Sequence, residues 1–280
     1  MATALAVLLE RAGYRVAAAS GREASEDRVK RHLPFAMFYP PPEAHVAARS
    51  ASLVVIGVPD DSIAALCSEL AGRVAFHRGQ WVLHLSGSVG LDALAPAHLS
   101  GAEILSLHPL QSFPSLEEGV RRLPGSAVAV TALDEEGFEA GEELARDVGG
   151  KPFRLSDQAK PLYHAAAVFC SNYLVAVEGM AEQLFRLAGL ADPVSMFAPL
   201  ARASLDATLA LGPGAALTGP ALRGDAGTVQ RNLEALSSHA PEAVASYVAL
   251  ARVAADLAAK AGRLSAEGYS RLREVLDDWK

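Results

Sequence analysis

The 280-residue sequence has little cysteine, few aromatic residues and no long apolar run. Its two cysteines, Cys67 and Cys170, are far apart in apolar helical patterns, which argues against a disulfide framework and predicts two buried thiols. The eight histidines are dispersed without an HExxH pair, so we expect no metal site. No run approaches the ~18 apolar residues that cross a bilayer, and the start lacks a basic segment and a cleavage site. We therefore expect a cytoplasmic protein that is not membrane-bound.

Charge excludes another class of partner. The net charge is −7 and the arginines are scattered, so no basic stripe indicates binding to nucleic acid. A small-molecule partner is more consistent with this net negative charge.

Apolar residues make up 51% of the chain, enough for a large core and more than one domain. Up to residue 156, apolar runs alternate with helical segments and polar turns, which predicts a mainly parallel, doubly wound α/β sheet. The strands are expected at 15–20, 52–58, 81–85, 104–107, 127–130 and 152–155, with a helix and an irregular connection over 21–45. After residue 156 the pattern is helical, with helices expected at 157–188, 193–211, 225–238, 241–260 and 266–279. We therefore predict an α/β domain over 1–156 and an all-helical domain over 157–280.

The front of the chain lacks a feature that such sheets usually have. Dinucleotide-binding domains begin with a strand and a G-x-G-x-x-G turn, whereas this sequence begins at a helix over residues 2–12. If Ala2 takes the third, small position of that motif, the first strand would precede Met1, and a GTG valine codon read as an initiator would explain the start. An in-frame stop just upstream would contradict this hypothesis, and an ordinary amphipathic helix is the alternative. Loss of the first strand would leave the second without its neighbour and would impair cofactor binding.

Polar and small residues at the ends of predicted strands are the candidates for cofactor binding. Ser20 and Arg22 follow the strand at 15–20, and a hydroxyl with a guanidinium suits a 2′-phosphate, so NADP is favoured over NAD. A solvated loop arginine is the alternative. Further cofactor contacts are expected at the ends of the next two strands: Val58, Pro59 and Asp60 after the first, and Ser86 and Gly87 after the second. For the residues 58–60 the alternative is a cap of the helix that follows.

Candidate residues for proton transfer lie at a strand end and on the first helix after it. His108 ends the strand at 104–107 and could exchange a proton near neutral pH, although lone histidines are mostly structural. Lys160, His164 and Ser171 form one polar stripe in an apolar helix, for which a structural hydrogen-bond network is the alternative. The catalytic candidates are Lys160, His108 and His164. The substrate-binding candidates are Ser88, Gln111, Ser112, Ser171, Asn172 and Arg223.

Several segments resemble a family in which a Rossmann-like NADP-binding domain precedes a helical domain of unknown function, DUF2520. They are VVIGVPDDSI, HLSGSVG, SLHPLQSF, KPLYHAAAVFCSNYLVA and LTGPALRGD. The wider group is similar to pyrroline-5-carboxylate reductases, 6-phosphogluconate and β-hydroxyacid dehydrogenases and deazaflavin-dependent NADP reductases. In the β-hydroxyacid dehydrogenases a lysine on the first interdomain helix is the acid/base, which implies that role for Lys160. In prephenate dehydrogenases a histidine in an H-P segment contacts the substrate hydroxyl, which implies it for His108, so the proton-transfer residue stays open.

Together these features predict an oxidoreductase that transfers a hydride between NADP(H) and a small oxo, imino or hydroxy-acid metabolite in an interdomain cleft. The alternative is a non-catalytic NADP- or metabolite-binding sensor that keeps the scaffold. The helical domain is expected to form a homodimer, because its helices are apolar on more than one face. The reductase hypothesis requires the polar strand ends and the helix stripe to meet at one site.

Overall fold

The chain forms two compact units that divide between Asn172 and Tyr173 in the computed structural model, which describes residues 1–279. The sequence pattern instead placed the boundary after residue 156. The helix that follows residue 156 stays with the first unit because its side chains bond to strand residues: Lys160 to Ser106, and Tyr163 to His108.

The first unit is an α/β domain. Its strands are β1 (Ala18–Ser20), β2 (Met37–Tyr39), β3 (Leu53–Ile56), β4 (Trp81–His84), β5 (Glu103–Pro109), β6 (Ala127–Ala132) and β7 (Lys151–Arg154). Its helices are α1 (Ala2–Arg11), α2 (Glu23–His32), α3 (Ala44–Arg49), α4 (Ile63–Gly72), α5 (Ala95–Leu99), α6 (Leu116–Arg122), α7 (Glu135–Asp147) and α8 (Lys160–Val168).

The strands form two sheets. Strands β3 to β7 pair in sequence order, all parallel except β5 with β6, while β1 and β2 form a separate parallel pair. This mainly parallel, Rossmann-like sheet followed by a helical region confirms the predicted fold class. The sequence did not predict β2, because its three residues in a proline-rich connection carry no alternating pattern.

The outer edges of β1 and β3 have no strand partner within residues 1–279. In a doubly wound sheet the first strand would lie between these two edges. In β3 only Ile56 is fully buried, because this strand lies at a sheet edge.

Apolar spacing explains how the front helix joins the core. Leu5, Leu8 and Leu9 of α1 are buried and pack with sheet residues that include Leu83 and Leu105. The other face of the sheet holds the buried thiol of Cys67 among aliphatic side chains. Cys170 was expected to be buried as well but is exposed.

The second unit is helical. It contains α9 (Leu174–Leu187), α10 (Pro193–Leu211), α11 (Pro213–Ala216), α12 (Pro220–Arg223), α13 (Ala226–His239), α14 (Val244–Lys260) and α15 (Ala266–Asp277). The single helix predicted over 157–188 is divided by a five-residue π-helix, Phe169–Tyr173. Within residues 1–279 no helix combines the length and apolarity needed to cross a membrane.

The core of the second unit lies between α13, α14 and α15. Val229, Leu233, Val248, Leu272 and Leu276 are buried there. By contrast, α9 has no fully buried residue, and α10 has only Pro193. These two helices therefore present large apolar side chains at the surface of the chain.

Candidate functional site

Side chains that follow two neighbouring strands meet at one edge of the sheet. Asp60 follows β3, and Ser86 and Ser88 follow β4. Asp60 Oδ2 accepts hydrogen bonds from Ser86 Oγ at 2.6 Å and from Ser88 Oγ at 2.8 Å. The carboxyl ends of parallel strands are where doubly wound domains bind ligands, so three candidates from the sequence lie at the expected place.

The hydroxyl of Ser86 is fully used inside the protein. It donates to Asp60 and accepts from the backbone N–H groups of Ser88 at 3.1 Å and Val89 at 3.0 Å. A serine hydroxyl has one hydrogen and two lone pairs, so Ser86 shapes the turn and would need to release a partner to bind a ligand.

The Asp60 carboxylate is stabilised in its charged form. Burial acts to raise its pKa, but the hydrogen bonds from Ser86 and Ser88, together with His164 and His84, hold the pKa below its usual value. A negative charge therefore persists at this strand end over the physiological pH range.

Lys160 is 1% exposed and is bonded entirely within the first unit. Its Nζ donates to the backbone oxygen of Ser86 at 3.0 Å and to Ser106 Oγ at 2.8 Å. Burial lowers the pKa of Lys160 to about 8, against the opposing effects of Asp157 and Asp60. The amine thus ties the first turn of α8 to the ends of β4 and β5.

Asp157, just before α8, makes a second connection. Its Oδ1 accepts the backbone N–H of Leu91 at 3.1 Å. A Cβ at Gly90 would lie 2.8 Å from the other carboxylate oxygen, so a residue without a side chain admits Asp157 there. The entry to α8 is therefore attached to the loop after β4.

His108, in β5, pairs with Tyr163 of α8. The hydroxyl of Tyr163 lies 2.8 Å from His108 Nδ1, and the two rings pack edge to face with centroids 5.4 Å apart. Burial, followed by the neighbouring His164 and Lys160, lowers the pKa of His108 to about 4. Burial raises the pKa of Tyr163 to about 12. Both groups are consequently neutral around pH 7.

Gly87 lies against the imidazole of His108. A Cβ at Gly87 would be 2.8 Å from both Cε1 and Nε2 of that ring, so only glycine fits without displacing it. His164 lies near the same ring, with its ring centroid 6.0 Å from that of His108. The three catalytic candidates, Lys160, His108 and His164, therefore surround the same strand ends.

The sequence interpretation did not assign Tyr163, His84 or Ser106 to the site. His84 is fully buried, and its Nδ1 accepts the backbone N–H of Ser86 at 3.2 Å. Burial and the charge of Lys160 lower its pKa to about 4. Tyr163 had a usable signal, since it lies three residues after Lys160 on the same helix face.

Other candidates make only local contacts. Gln111 bonds to Ser126 Oγ at 3.2 Å and accepts the backbone N–H of Ser112 at 2.9 Å. The Ser171 hydroxyl oxygen lies 3.0 Å from Ala167 O and 2.9 Å from Asn172 Oδ1, and its one hydrogen can be donated to either. Within residues 1–279 none of these hydrogen bonds reaches His108.

Arg223 ends α12 in the second unit. Hydrogen bonds from Thr228, with smaller contributions from Arg231 and Arg223, lower the pKa of Asp225, the N-cap of α13. Asp225 is therefore a helix cap whose charged form Arg223 favours.

The nicotinamide cofactor that such a fold implies can be tested against the front of the chain. Gly57 follows β3, and a Cβ there would collide with Ala2, so the amino end of α1 abuts the carboxyl end of this strand. A helix amino end in that position favours phosphate. Arg22 is the N-cap residue of α2 just after β1, and Ser20 Oγ makes only a 3.4 Å contact to Pro40 O. These residues fit a phosphorylated dinucleotide, although the sequence contains no G-x-G-x-x-G turn.

Comparisons agree with this architecture. Residues 1–109 match the Rossmann-like domain, and residues 126–254 match the domain of unknown function DUF2520. No curated protein matches the sequence.

Solved structures extend the likeness over the whole chain. A Bacteroides fragilis protein named as an NADP oxidoreductase has a TM-score of 0.74 at 20% identity, over 91% of this chain and 94% of that one. A Thermotoga maritima protein has a TM-score of 0.71 at 21% identity, over 93% and 97%. An imine reductase variant from Myxococcus stipitatus in complex with NAD+ has a TM-score of 0.60 at 17% identity, over 98% and 96%. At these identities the likeness concerns the fold, and the chain is a two-domain protein that joins a Rossmann-like domain to a DUF2520 domain.

Proposed function

We propose that this protein is an NADP(H)-dependent oxidoreductase that transfers a hydride between the cofactor and a small oxo, imino or hydroxy-acid metabolite. The observation that carries the proposal is the meeting of His108, Tyr163, Lys160 and Asp60 at the carboxyl ends of β3 to β5. Similar structures that are named as an NADP oxidoreductase and an imine reductase support the same class of reaction.

The cofactor would be held by the front of the first unit. Ser20 and Arg22 would bind the 2′-phosphate, and the amino end of α1 beside Gly57 would face the bridging phosphates. When bound, NADPH supplies the hydride. Val58, Pro59 and Gly87 lie at the ends of β3 and β4 and would contact the rest of the cofactor.

Reduction of a C=O or C=N group also needs a proton at the oxygen or nitrogen. We assign His108 as the residue that contacts this oxygen or nitrogen, because it is 8% exposed and is neutral near pH 7. A neutral imidazole can hold the substrate heteroatom through an N–H donor as negative charge develops, and solvent water then supplies the proton, since the imidazole keeps its own.

Lys160 is assigned a positioning role. Its amine donates to the backbone oxygen of Ser86 and to Ser106 Oγ, and the residue is 1% exposed. It holds the ends of β4 and β5 against α8, and its charge favours the neutral forms of His84 and His108.

Cofactor binding can be measured by titrating the protein with NADPH and following the fluorescence of the nicotinamide. We expect NADPH to bind more tightly than NADH, and Arg22→Ala to weaken NADPH binding about tenfold or more while sparing NADH. Arg31→Ala, an exposed arginine in the last turn of the same helix, is the matched control. Failure of the wild-type chain to bind NADPH would contradict the proposal.

A turnover assay distinguishes an enzyme from a non-catalytic NADP-binding protein. We expect NADPH oxidation with at least one compound from panels of oxo acids, cyclic imines and sugar acids, and its loss in His108→Asn without loss of NADPH binding. One observation favours a non-catalytic NADP-binding module instead, namely that the Ser86 hydroxyl is satisfied by protein atoms and that the Lys160 amine bonds to Ser86 and Ser106. Tight NADPH binding without turnover across these panels would support that module.

The homodimer is also a proposal. The exposed apolar side chains of α9 and α10 include Val175, Leu200 and Leu209. Besides these, α10 carries only Arg202 and Asp206 as charged residues, which have opposite signs. A twofold pairing of these helices with a second copy would remove exposed apolar surface from water.

A further inference from the structure

We propose that Tyr163 is the positioning residue of His108: its hydroxyl donates to Nδ1 and thereby fixes the imidazole as the Nε2–H tautomer. The consequence for catalysis rests on the proposed function, whereas the tautomer itself does not. The pair belongs to two different elements, β5 and α8, so it forms only when the helix packs on the strand.

The geometry leaves little freedom to either ring. Tyr163 O lies 2.8 Å from His108 Nδ1, and the two rings are nearly perpendicular, at 88°. On its other side Tyr163 packs edge to face against Phe153 of β7, with centroids 5.9 Å apart. Tyr163 is therefore held between two strand residues and cannot turn its hydroxyl away without losing aromatic contacts.

The direction of the hydrogen bond follows from the chemistry of the two groups. A phenol O–H is a stronger donor than the N–H of neutral imidazole, and an unprotonated imidazole nitrogen is a stronger acceptor than a phenol oxygen. Since both groups are neutral around pH 7, the favoured arrangement is O–H of Tyr163 to Nδ1 of His108. The single proton of the imidazole then resides on Nε2.

The groups around His108 explain why the tautomer of its imidazole matters. Lys160 and His164 disfavour a second proton on His108, while Asp60 opposes them. Gly87 lies against the ring, where a Cβ would be 2.8 Å from both Nε2 and Cε1, so the absence of a side chain at this position lets the imidazole keep its place. With Nδ1 occupied, His108 would present an N–H donor to a carbonyl oxygen or imine nitrogen, in the way that a fixed tautomer serves other histidine sites.

The test is long-range ¹H–¹⁵N NMR of protein labelled with ¹⁵N-histidine, with the His108 signals assigned by their loss in His108→Asn. In the wild type we expect a protonated Nε2 and an unprotonated Nδ1 from pH 6 to 8. Tyr163→Phe should yield a mixture of the two tautomers. Tyr14→Phe removes a hydroxyl that bonds to Asp147 in the same unit and should leave the His108 signals unchanged.

Two outcomes would overturn the inference: a wild-type His108 with its proton on Nδ1, or an unaltered tautomer in Tyr163→Phe. The wild-type measurement stands even if the variant does not fold. Neither measurement uses NADPH or substrate, so failure here is distinct from failure of the proposed function. If turnover is found, Tyr163→Phe should lower kcat about three- to tenfold while leaving the Kd for NADPH unchanged.

Discussion

Replacing Lys160 by methionine should change how the stability of the first unit depends on pH. The pKa of this lysine falls from 10.5 to about 8 on folding because the amine is buried. Below pH 8 both the folded and unfolded chains carry the proton, whereas between pH 8 and 10.5 the unfolded chain retains it and the folded chain has lost it. Stability rises with pH wherever the unfolded chain binds more protons, so this group should add about 3 kcal/mol across that window.

The assay is urea unfolding at half-unit steps from pH 7 to pH 10.5, followed by the fluorescence of Trp81 in a Trp279→Phe background. The chain has two tryptophans, and Trp81 lies in β4, so the signal reports on the sheet. We expect the stability of wild type minus that of Lys160→Met to rise by about 3 kcal/mol over the series. Lys151→Met, at an exposed position in β7, is the control and should produce no such rise.

Other ionisable groups titrate in the same range, but they are common to both chains and cancel in the difference. Parallel pH curves for the wild type and Lys160→Met would show that the amine is not buried in the folded chain. Such a result would also remove the basis for assigning Lys160 to positioning.

Three further predictions concern single positions. Gly87→Ala should lose about 1–3 kcal/mol of stability in urea unfolding because the new methyl group would lie 2.8 Å from the His108 ring, whereas Gly72→Ala, in open space on α4, should not destabilise. Val74→Gly should raise stability by about 1 kcal/mol and the Tm by a few degrees, because this valine is 74% exposed and has a φ of +54°. The chain should be a dimer at micromolar concentration, as measured by light scattering. Leu209→Asp, at a residue that is 77% exposed, should make it monomeric. A wild-type monomer would contradict the proposed pairing.

Much of the fold was accessible from the sequence because buried strands and helices have strong periodic signals. The strand at 81–84 is apolar up to its last residue, the strand at 103–109 contains Ile104, Leu105 and Leu107, and the helices of the second unit have long apolar repeats. The short β2 was missed because three residues cannot establish a period. The π-helix at 169–173 was missed because one added residue per turn leaves no mark on composition.

The site was predicted in part. His108 and Lys160 were identified because polar residues interrupt apolar runs, and the structure brings both to the ends of the sheet. The sequence could not show that the Lys160 amine points to Ser86 and Ser106, since that depends on the packing of α8 against two strands. Nor could it pair His108 with Tyr163, because 55 residues separate them in the chain.

The open edge of β3 has a consequence for hydrogen exchange. Along a β-strand the backbone N–H groups point alternately to the two sides, so only those directed at β4 are held in the ladder. Protection from deuterium should therefore alternate residue by residue from Leu53 to Ile56, and should become uniform in β4, which has a neighbour on each side. Within residues 1–279 this row of donors and acceptors has no strand partner, so an extended peptide could pair with it by adding a strand to the sheet.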